Sequence, residues 1–217
     1  MEPKNRDVNS YYRSLWPDGE SYESTYPEFI GPDKVLFLDG GIQSTLYGDA
    51  PYHESIVHPA MIAHSYARHV AMIGGGEGAT LREVLKYKSV EEVVILEIDQ
   101  ELVDICAEYM PEWSDCSDID GSTVTSCFDD PRAKLVIVDA FRWFIDQFGN
   151  VGDVGAAKFD AMNRKAGIKG EEKFDVIIMD ALDPNTSVEI AGGLYNDTSF
   201  IDSMFNSLTK AGVVSCC

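Results

Sequence analysis

From His69 onward, short apolar runs alternate with amphipathic stretches. His69–Ile73, Val93–Leu96, Leu135–Val138, Val176–Met179 and Val213–Ser215 read as strands, each too short and too rich in β-branched residues for a buried helix. Between them Ala79–Leu85, Gln100–Tyr109, Ala140–Gln147 and Thr198–Leu208 carry helical spacing. Continuously apolar strands belong to a parallel sheet covered on both faces. Regular strand–helix alternation implies right-handed crossovers and the doubly wound α/β class. Ahead of this series, Tyr52–Tyr66 reads as a helix with Ile56, Ala60 and Ala63 on one face. Earlier still, Lys34–Leu38 and Ile42–Tyr47 read as two strands joined by the turn Asp39-Gly40-Gly41. The expected organisation is therefore a small N-terminal β region, residues 1–51, followed by one α/β domain, residues 52–217. The glycine-containing, charged stretch Asn150–Glu172 is long for a helix-to-strand connection and reads as a surface insertion, with a short helix near Ala156–Asn163. The chain ends just past the fifth strand, where a sheet of this class often continues.

Composition changes that picture little. The 217 residues are 45% hydrophobic, enough for a core. No apolar run approaches the ~20 residues of a membrane span, and the polar start Met1-Glu2-Pro3-Lys4 is unlike a signal peptide, so a soluble cytoplasmic protein is expected. The five cysteines form no Cys-x-x-Cys pair, which argues against zinc and for reduced thiols. Charge adds more: 17 basic against 37 acidic residues give a net −20. From Ser89 to Pro131 there are 13 Asp or Glu and no Lys or Arg. Such a surface repels nucleic acid and anionic membranes and attracts cations, polyamines included; solubility or adaptation to salt explains it equally well.

The candidate chemistry gathers at the strand ends. Gly74-Gly75-Gly76-Glu77-Gly78-Ala79 lies between a strand and a helix, where glycines permit a tight turn and a close ligand approach. A glycine turn that serves packing alone is the plain alternative. Glu97 ends the next strand, 19 residues after Gly78, where a carboxylate accepts both ribose hydroxyls. Asp139 ends the third strand, placed to accept from an adenine amino group or to cap the following helix. Asp180 ends the fourth, within Asp180-Ala181-Leu182-Asp183-Pro184. Caps and turns explain one or two of these acids more easily than four. Acids gathered on one edge repel one another, and a cationic ligand relieves that repulsion. The loop also fits Gly-x-Gly-x-x-Ala, the dinucleotide fingerprint. Glu77 inside it would oppose a pyrophosphate, whereas S-adenosylmethionine or a relative brings adenosine and a sulfonium cation without phosphate.

These segments resemble the polyamine aminopropyltransferases, the spermidine, spermine and thermospermine synthases. The resemblance runs from about Val35 to Cys217 and rests on Leu38-Asp39-Gly40-Gly41-Ile42-Gln43, Tyr52-His53-Glu54, the glycine loop, Leu81-Arg82-Glu83-Val84-Leu85, Glu97-Ile98-Asp99 and Asp180–Pro184. It implies a methyltransferase-like Rossmann domain with a small N-terminal β domain, and transfer of an aminopropyl group from decarboxylated S-adenosylmethionine to a polyamine. It implies donor binding by His53, Glu77, Glu97, Asp139 and Ala140, acceptor binding by Tyr52 and Asp183, and catalysis by Asp180. It implies no metal and a homodimer or higher homo-oligomer. The chain differs from many members at Leu46-Tyr47-Gly48-Asp49, which stands where they carry Glu-Arg-Asp-Glu, and at Asn185-Thr186-Ser187, which stands where spermidine synthases often carry Gly-Pro-Ala. An S-adenosylmethionine-dependent methyltransferase, and a non-catalytic relative that binds nucleoside or polyamine, are the two alternatives.

Overall fold

A computed structural model describes residues 33–38, 40–149, 173–181 and 198–216. The chain divides into two units, Met1–Gly48 and Asp49–Cys217. In the first, β1 (Val35–Leu38) pairs antiparallel with β2 (Gly41–Thr45), with a register shift between Leu36 and Phe37. In the second, the order is α1 (Asp49–His64), β3 (His69–Gly74), α2 (Ala79–Leu85), β4 (Glu92–Glu97), α3 (Gln100–Tyr109), β5 (Ala133–Ile137), α4 (Ala140–Phe148), β6 (Phe174–Asp180), α5 (Thr198–Ser207) and β7 (Leu208–Cys216). The expected short helix near Ala156–Asn163 lies outside the described residues. Among the described residues no helix is long and apolar enough to cross a membrane.

The five strands of the second unit form one parallel sheet in the order β5-β4-β3-β6-β7. The chain winds outward from β3 to β5, then returns to the far side of β3. The winding therefore reverses between β3 and β6, and their carboxyl ends flank a crevice, the place where open α/β sheets bind ligands.

Alternation along the strands explains their continuous hydrophobicity. Val70 and Met72 of β3, Val93 and Ile95 of β4, and Val176 and Ile178 of β6 face one core, shared with Ile56 and Val57 of α1 and Leu81 and Val84 of α2. Ala71, Ile73, Val94, Leu96, Ile177 and Met179 face the other, shared with Trp143 and Phe144 of α4 and Phe200 and Met204 of α5. Both faces of the central strands are covered, so the middle positions of β3, β4 and β6 are apolar. The doubly wound expectation holds in its strand and helix sequence.

Boundaries shifted where tertiary contacts outweigh local pattern. Helix α1 starts at Asp49 rather than Tyr52, since Pro51 is tolerated in a first turn. It stops at His64, because Ser65 adopts a positive φ of 64°. Strand β7 begins at Leu208 rather than Val213, drawn into the ladder by pairing with Phe174.

The reading of all cysteines as reduced thiols is overturned. Cys116 and Cys127 form a disulfide, with Cα atoms 5.1 Å apart. The main chain sets this up: Cys116 N–H donates to Thr125 O at 2.7 Å and Cys127 N–H to Ser114 O at 2.8 Å. That ladder brings the two cysteines within bridging distance. Cys106 and Cys216 are free. The hairpin abuts the glycine loop: Gly78 has φ +89°, and a Cβ there would lie 2.6 Å from Ser114 Cβ and 2.8 Å from Phe128 Cε2.

Because the bridge closes only a short loop, a Cys116→Ser, Cys127→Ser double variant should lose about 2–3 kcal/mol of unfolding free energy. Urea denaturation of variant and parent measures this. Equal midpoints and slopes would mean that the hairpin's main-chain bonds suffice.

Candidate functional site

The crevice is built from the glycine loop outward. Gly74 pairs with Asp180 at the last rung between β3 and β6. Its φ is +81°, and a Cβ would strike the Asp180 carbonyl oxygen. Only glycine closes this rung. The loop then turns over the sheet edge and delivers Glu77 and the start of α2.

Five side chains converge there, those of Tyr52, His53, Glu77, Thr80 and Asp180. Thr80 Oγ1 donates to Asp180 Oδ2 at 2.6 Å, and Tyr52 Oη donates to Asp180 Oδ1 at 3.4 Å. His53 Nε2 lies 3.0 Å from Glu77 Oε1. His53 Nδ1 lies 2.7 Å from the Asp49 carbonyl oxygen and 2.8 Å from Asp49 Oδ1. Asp49 Oδ2 in turn pairs with Arg82 Nη1 at 2.9 Å. Arg82 also pairs with buried Glu83 at 3.0 Å and donates to the carbonyls of Glu112 at 3.3 Å and Trp113 at 3.0 Å.

The electrostatics follow from this enclosure. Burial alone would hold His53 neutral. Its close contacts with the Asp49 and Glu77 carboxylates, with the charges of Glu77 and Asp180, outweigh burial and push its pKa up to about 10. Burial, followed by the Glu77 charge, pushes the Asp180 carboxyl up to about 7, against the opposing influence of His53, Thr80 and Tyr52. Burial would also raise Asp49, but its bonds to His53 and Arg82 prevail and hold it below the usual range.

Glu97 sits apart from this cluster at the end of β4. It is buried, and its Oε1 accepts from Ile98 N–H at 2.7 Å and Asp99 N–H at 2.9 Å. Burial raises its pKa, the amides of Asp99, Ile98 and Gly76 oppose, and Glu77 adds repulsion. Asp139 caps α4 by accepting from Phe141 N–H at 2.9 Å and Arg142 N–H at 3.4 Å, and buried Ala140 opens that helix. The structure thus brings Tyr52, His53, Glu77 and Asp180 together, with Glu97, Asp139 and Ala140 at the two neighbouring strand ends. Asp183 lies outside the described residues.

Ligand atoms of His53, Glu77 and Asp180 come within 4.8 Å of one another, as do those of Glu54, His58 and Glu83. Neither set suits a metal. His53 directs Nδ1 at a carbonyl and Nε2 at a carboxylate, so neither nitrogen offers a lone pair, and Glu83 is already paired with Arg82 and Lys86. An organic cation suits the first set better.

Sequence reasoning gave no role to Thr80, Asp49 or Arg82. The Asp49/His53 spacing of four residues was a usable signal, hidden because the helix was started three residues too late.

Comparison with known proteins now bears on this geometry. Residues 49–217 match the family model described as the spermine/spermidine synthase domain. The chain belongs to that family. It is 44% identical to polyamine aminopropyltransferase 1 of Hyperthermus butylicus over 76% of this chain and 46% of that protein. It is 38% identical to polyamine aminopropyltransferase of Pyrobaculum calidifontis over 88% of this chain and 57% of that protein. A spermidine synthase solved with the transition-state analogue AdoDATO superposes with TM-score 0.61 at 32% identity, over 84% of this chain and 50% of that one. Spermidine synthase from Thermotoga maritima gives 0.58 at 30% identity, over 84% and 47%. The chain thus spans about half the length of the curated relatives it matches. These likenesses bear out the family resemblance and the methyltransferase-like fold.

The two shifted groups act on stability in different pH windows. The folded pKa of Asp180 is raised, so the folded chain holds the extra proton and stability falls as pH climbs from about 4 to about 7. The folded pKa of His53 is also raised, so its stabilisation is complete below 6.5 and fades as pH rises through about 10. Asp180→Asn should therefore melt higher than the parent at pH 8, and the gain should vanish near pH 4. Thermal melts at both pH values test this; a lower melting point at pH 8 would contradict a strained Asp180 charge.

Proposed function

We propose that this family member transfers the aminopropyl group of decarboxylated S-adenosylmethionine to an amine of a polyamine such as putrescine or spermidine, releasing methylthioadenosine. The observation that carries this reading is Asp180, held at about 7 beside Glu77 with hydroxyl donors on both of its oxygens. Such a carboxylate can take a proton near neutral pH. Family membership, and the AdoDATO-bound spermidine synthase among the structural relatives, support the same donor chemistry.

The roles follow from position and charge. Glu97 receives the ribose hydroxyls, and Asp139 with Ala140 borders the adenine. His53 and Glu77 meet the aminopropyl end of the donor, where the Glu77 carboxylate attracts its ammonium. A donor that kept its own carboxylate would be repelled there. Tyr52 lines the acceptor side, and the resemblance to the family gives Asp183 an acceptor-binding role. The acceptor amine is protonated in water, with a pKa of ~10 for the comparable lysine amine. Asp180 accepts that proton, and the freed lone pair attacks the methylene carbon next to sulfonium. The carbon–sulfur bond breaks, its electrons return to sulfur, and a neutral thioether departs. That leaving group needs no acid and no metal. Much of the acceleration comes from holding two cations in line, which is where the acids contribute. A cytoplasmic location and a homo-oligomer belong to the same reading. The Cys116–Cys127 disulfide is compatible with it, because both cysteines are buried beyond easy reach of a reductant.

Two measurements test the function. The first assays methylthioadenosine from decarboxylated S-adenosylmethionine across a panel of amines; no product with any amine would exclude aminopropyl transfer. In the same assay Asp180→Asn should lose at least ~100-fold in kcat, while calorimetry finds donor affinity little changed. The second compares Glu77→Gln with the parent for binding of ordinary and decarboxylated S-adenosylmethionine. Loss of the charged partner should reduce discrimination by roughly ten- to a hundredfold. A parent that prefers the ordinary donor would point to methyl transfer instead.

A further inference from the structure

The hydrogen bonds of His53 fix its protonation. A carbonyl oxygen only accepts, so Nδ1, 2.7 Å from Asp49 O, carries a hydrogen. A carboxylate also accepts, so Nε2, 3.0 Å from Glu77 Oε1, carries the second. The ring is an imidazolium, almost wholly buried at 1% exposure. A buried cation needs a counter-charge. Glu77 is one, but it is the acid that the proposed function gives to the donor.

The second counter-charge is Asp49. Its Oδ1 lies 2.8 Å from His53 Nδ1, yet this buried oxygen has no aligned hydrogen bond. It therefore acts on the ring through charge. Its Oδ2 is anchored by Arg82 at 2.9 Å, and Arg82 is fixed by Glu83 and by the carbonyls of Glu112 and Trp113, just ahead of the disulfide-closed segment. Charges alternate along the series Arg82, Asp49, His53 and Glu77.

We propose that Asp49 is a positioning residue for the donor: it keeps His53 doubly protonated, so that the Nε2 hydrogen pins Glu77 Oε1 and turns Oε2 toward the donor's ammonium. This rests on the reading of Glu77 as the acid that meets the aminopropyl chain. The groups that face His53 are Asp49 and Tyr52 from α1, Glu77 from the loop and Asp180 from β6, with Arg82 of α2 acting through Asp49. Without the Asp49 carboxylate, the ring keeps its bond to the main-chain carbonyl but loses the one counter-charge that does not also serve the ligand. It then gives up a proton at lower pH, and Glu77 loses its fixed orientation.

The test uses the full chain labelled with nitrogen-15 histidine, with His53 assigned by its loss in His53→Gln. Both ring nitrogens of His53 should report as protonated at pH 8 in the parent; a neutral ring at pH 7 overturns the proposal without any Asp49 variant. In Asp49→Asn the titration should move down by about one to two pH units. At pH 8 the donor KM should rise about tenfold, with kcat at saturating donor changed less than about threefold. Asp49→Glu, which keeps the charge, should recover most of both. A merely structural role predicts equal damage in the two variants and an unmoved titration, and that result would sink the idea. If the parent transfers no aminopropyl group, the proposed function fails, while the histidine titration still decides whether Asp49 controls His53.

Discussion

The last rung between β3 and β6 sets the site. At that rung Gly74 lies against the Asp180 main chain, with no room for a side chain. This contact brings the carboxyl ends of two strands, remote in sequence, to a common edge at the reversal of winding. The loop leaving Gly74 has to climb over that edge, so Glu77 and Thr80 arrive beside Asp180. A larger residue at position 74 would spread the rung and separate the groups that make the site. Positive φ and steric closeness both select glycine here, and the second is the stronger demand, because it opposes any Cβ regardless of backbone conformation.

Closeness of acids is then the main cost. Each carboxylate raises the free energy of its neighbours, and burial removes the water that would screen them. The fold offsets this locally rather than through its net charge. His53 stands against Glu77, Arg82 against Asp49, backbone amides against Glu97 and hydroxyls against Asp180. The excess of acids over the whole chain works at longer range, drawing cations toward the surface within roughly a Debye length of 8–10 Å. The two scales should not be confused. The surface charge favours any cation, whereas the crevice favours one whose charges match Glu77 and Asp180 in position.

Most of the fold was legible in the sequence because both sheet faces are buried. That makes the middles of the central strands β3, β4 and β6 solid apolar runs, with polar residues at their ends. The site acids were legible for a related reason: they stand where those runs stop, as Glu97, Asp139 and Asp180 do. What escaped was long-range or conditional. The Cys116–Cys127 bridge depends on a hairpin register that residue types do not announce. The start of β7 depends on a ladder partner, Phe174. Asp49 stands where many family members carry the last Glu of Glu-Arg-Asp-Glu, so the carboxylate four residues before His53 keeps to that pattern, but the helical spacing that pairs the two shows only once α1 begins at Asp49. Thr80 looked like an ordinary helical residue until the rung at Gly74 placed it against Asp180.

The balance of charges also explains why the crevice should tolerate a ligand carrying two positive centres. In the free chain, His53 is the cation that pairs directly with Glu77, while Asp180 is relieved by the His53 charge at longer range, by two hydroxyl donors and by a raised pKa. An ammonium arriving at Glu77 meets an acid already held in place on one oxygen, so little orientational freedom remains to be lost. A second ammonium near Asp180 stabilises the ionised carboxylate and thereby lowers its pKa. The same pairing opposes loss of the ammonium's proton, so on the proposed reading the transfer to Asp180 is driven by the attack on carbon that consumes the freed lone pair. Of the acids at this edge, Asp180 is the one whose resting pKa lies close to neutrality, which makes it the acid suited to exchange a proton at physiological pH.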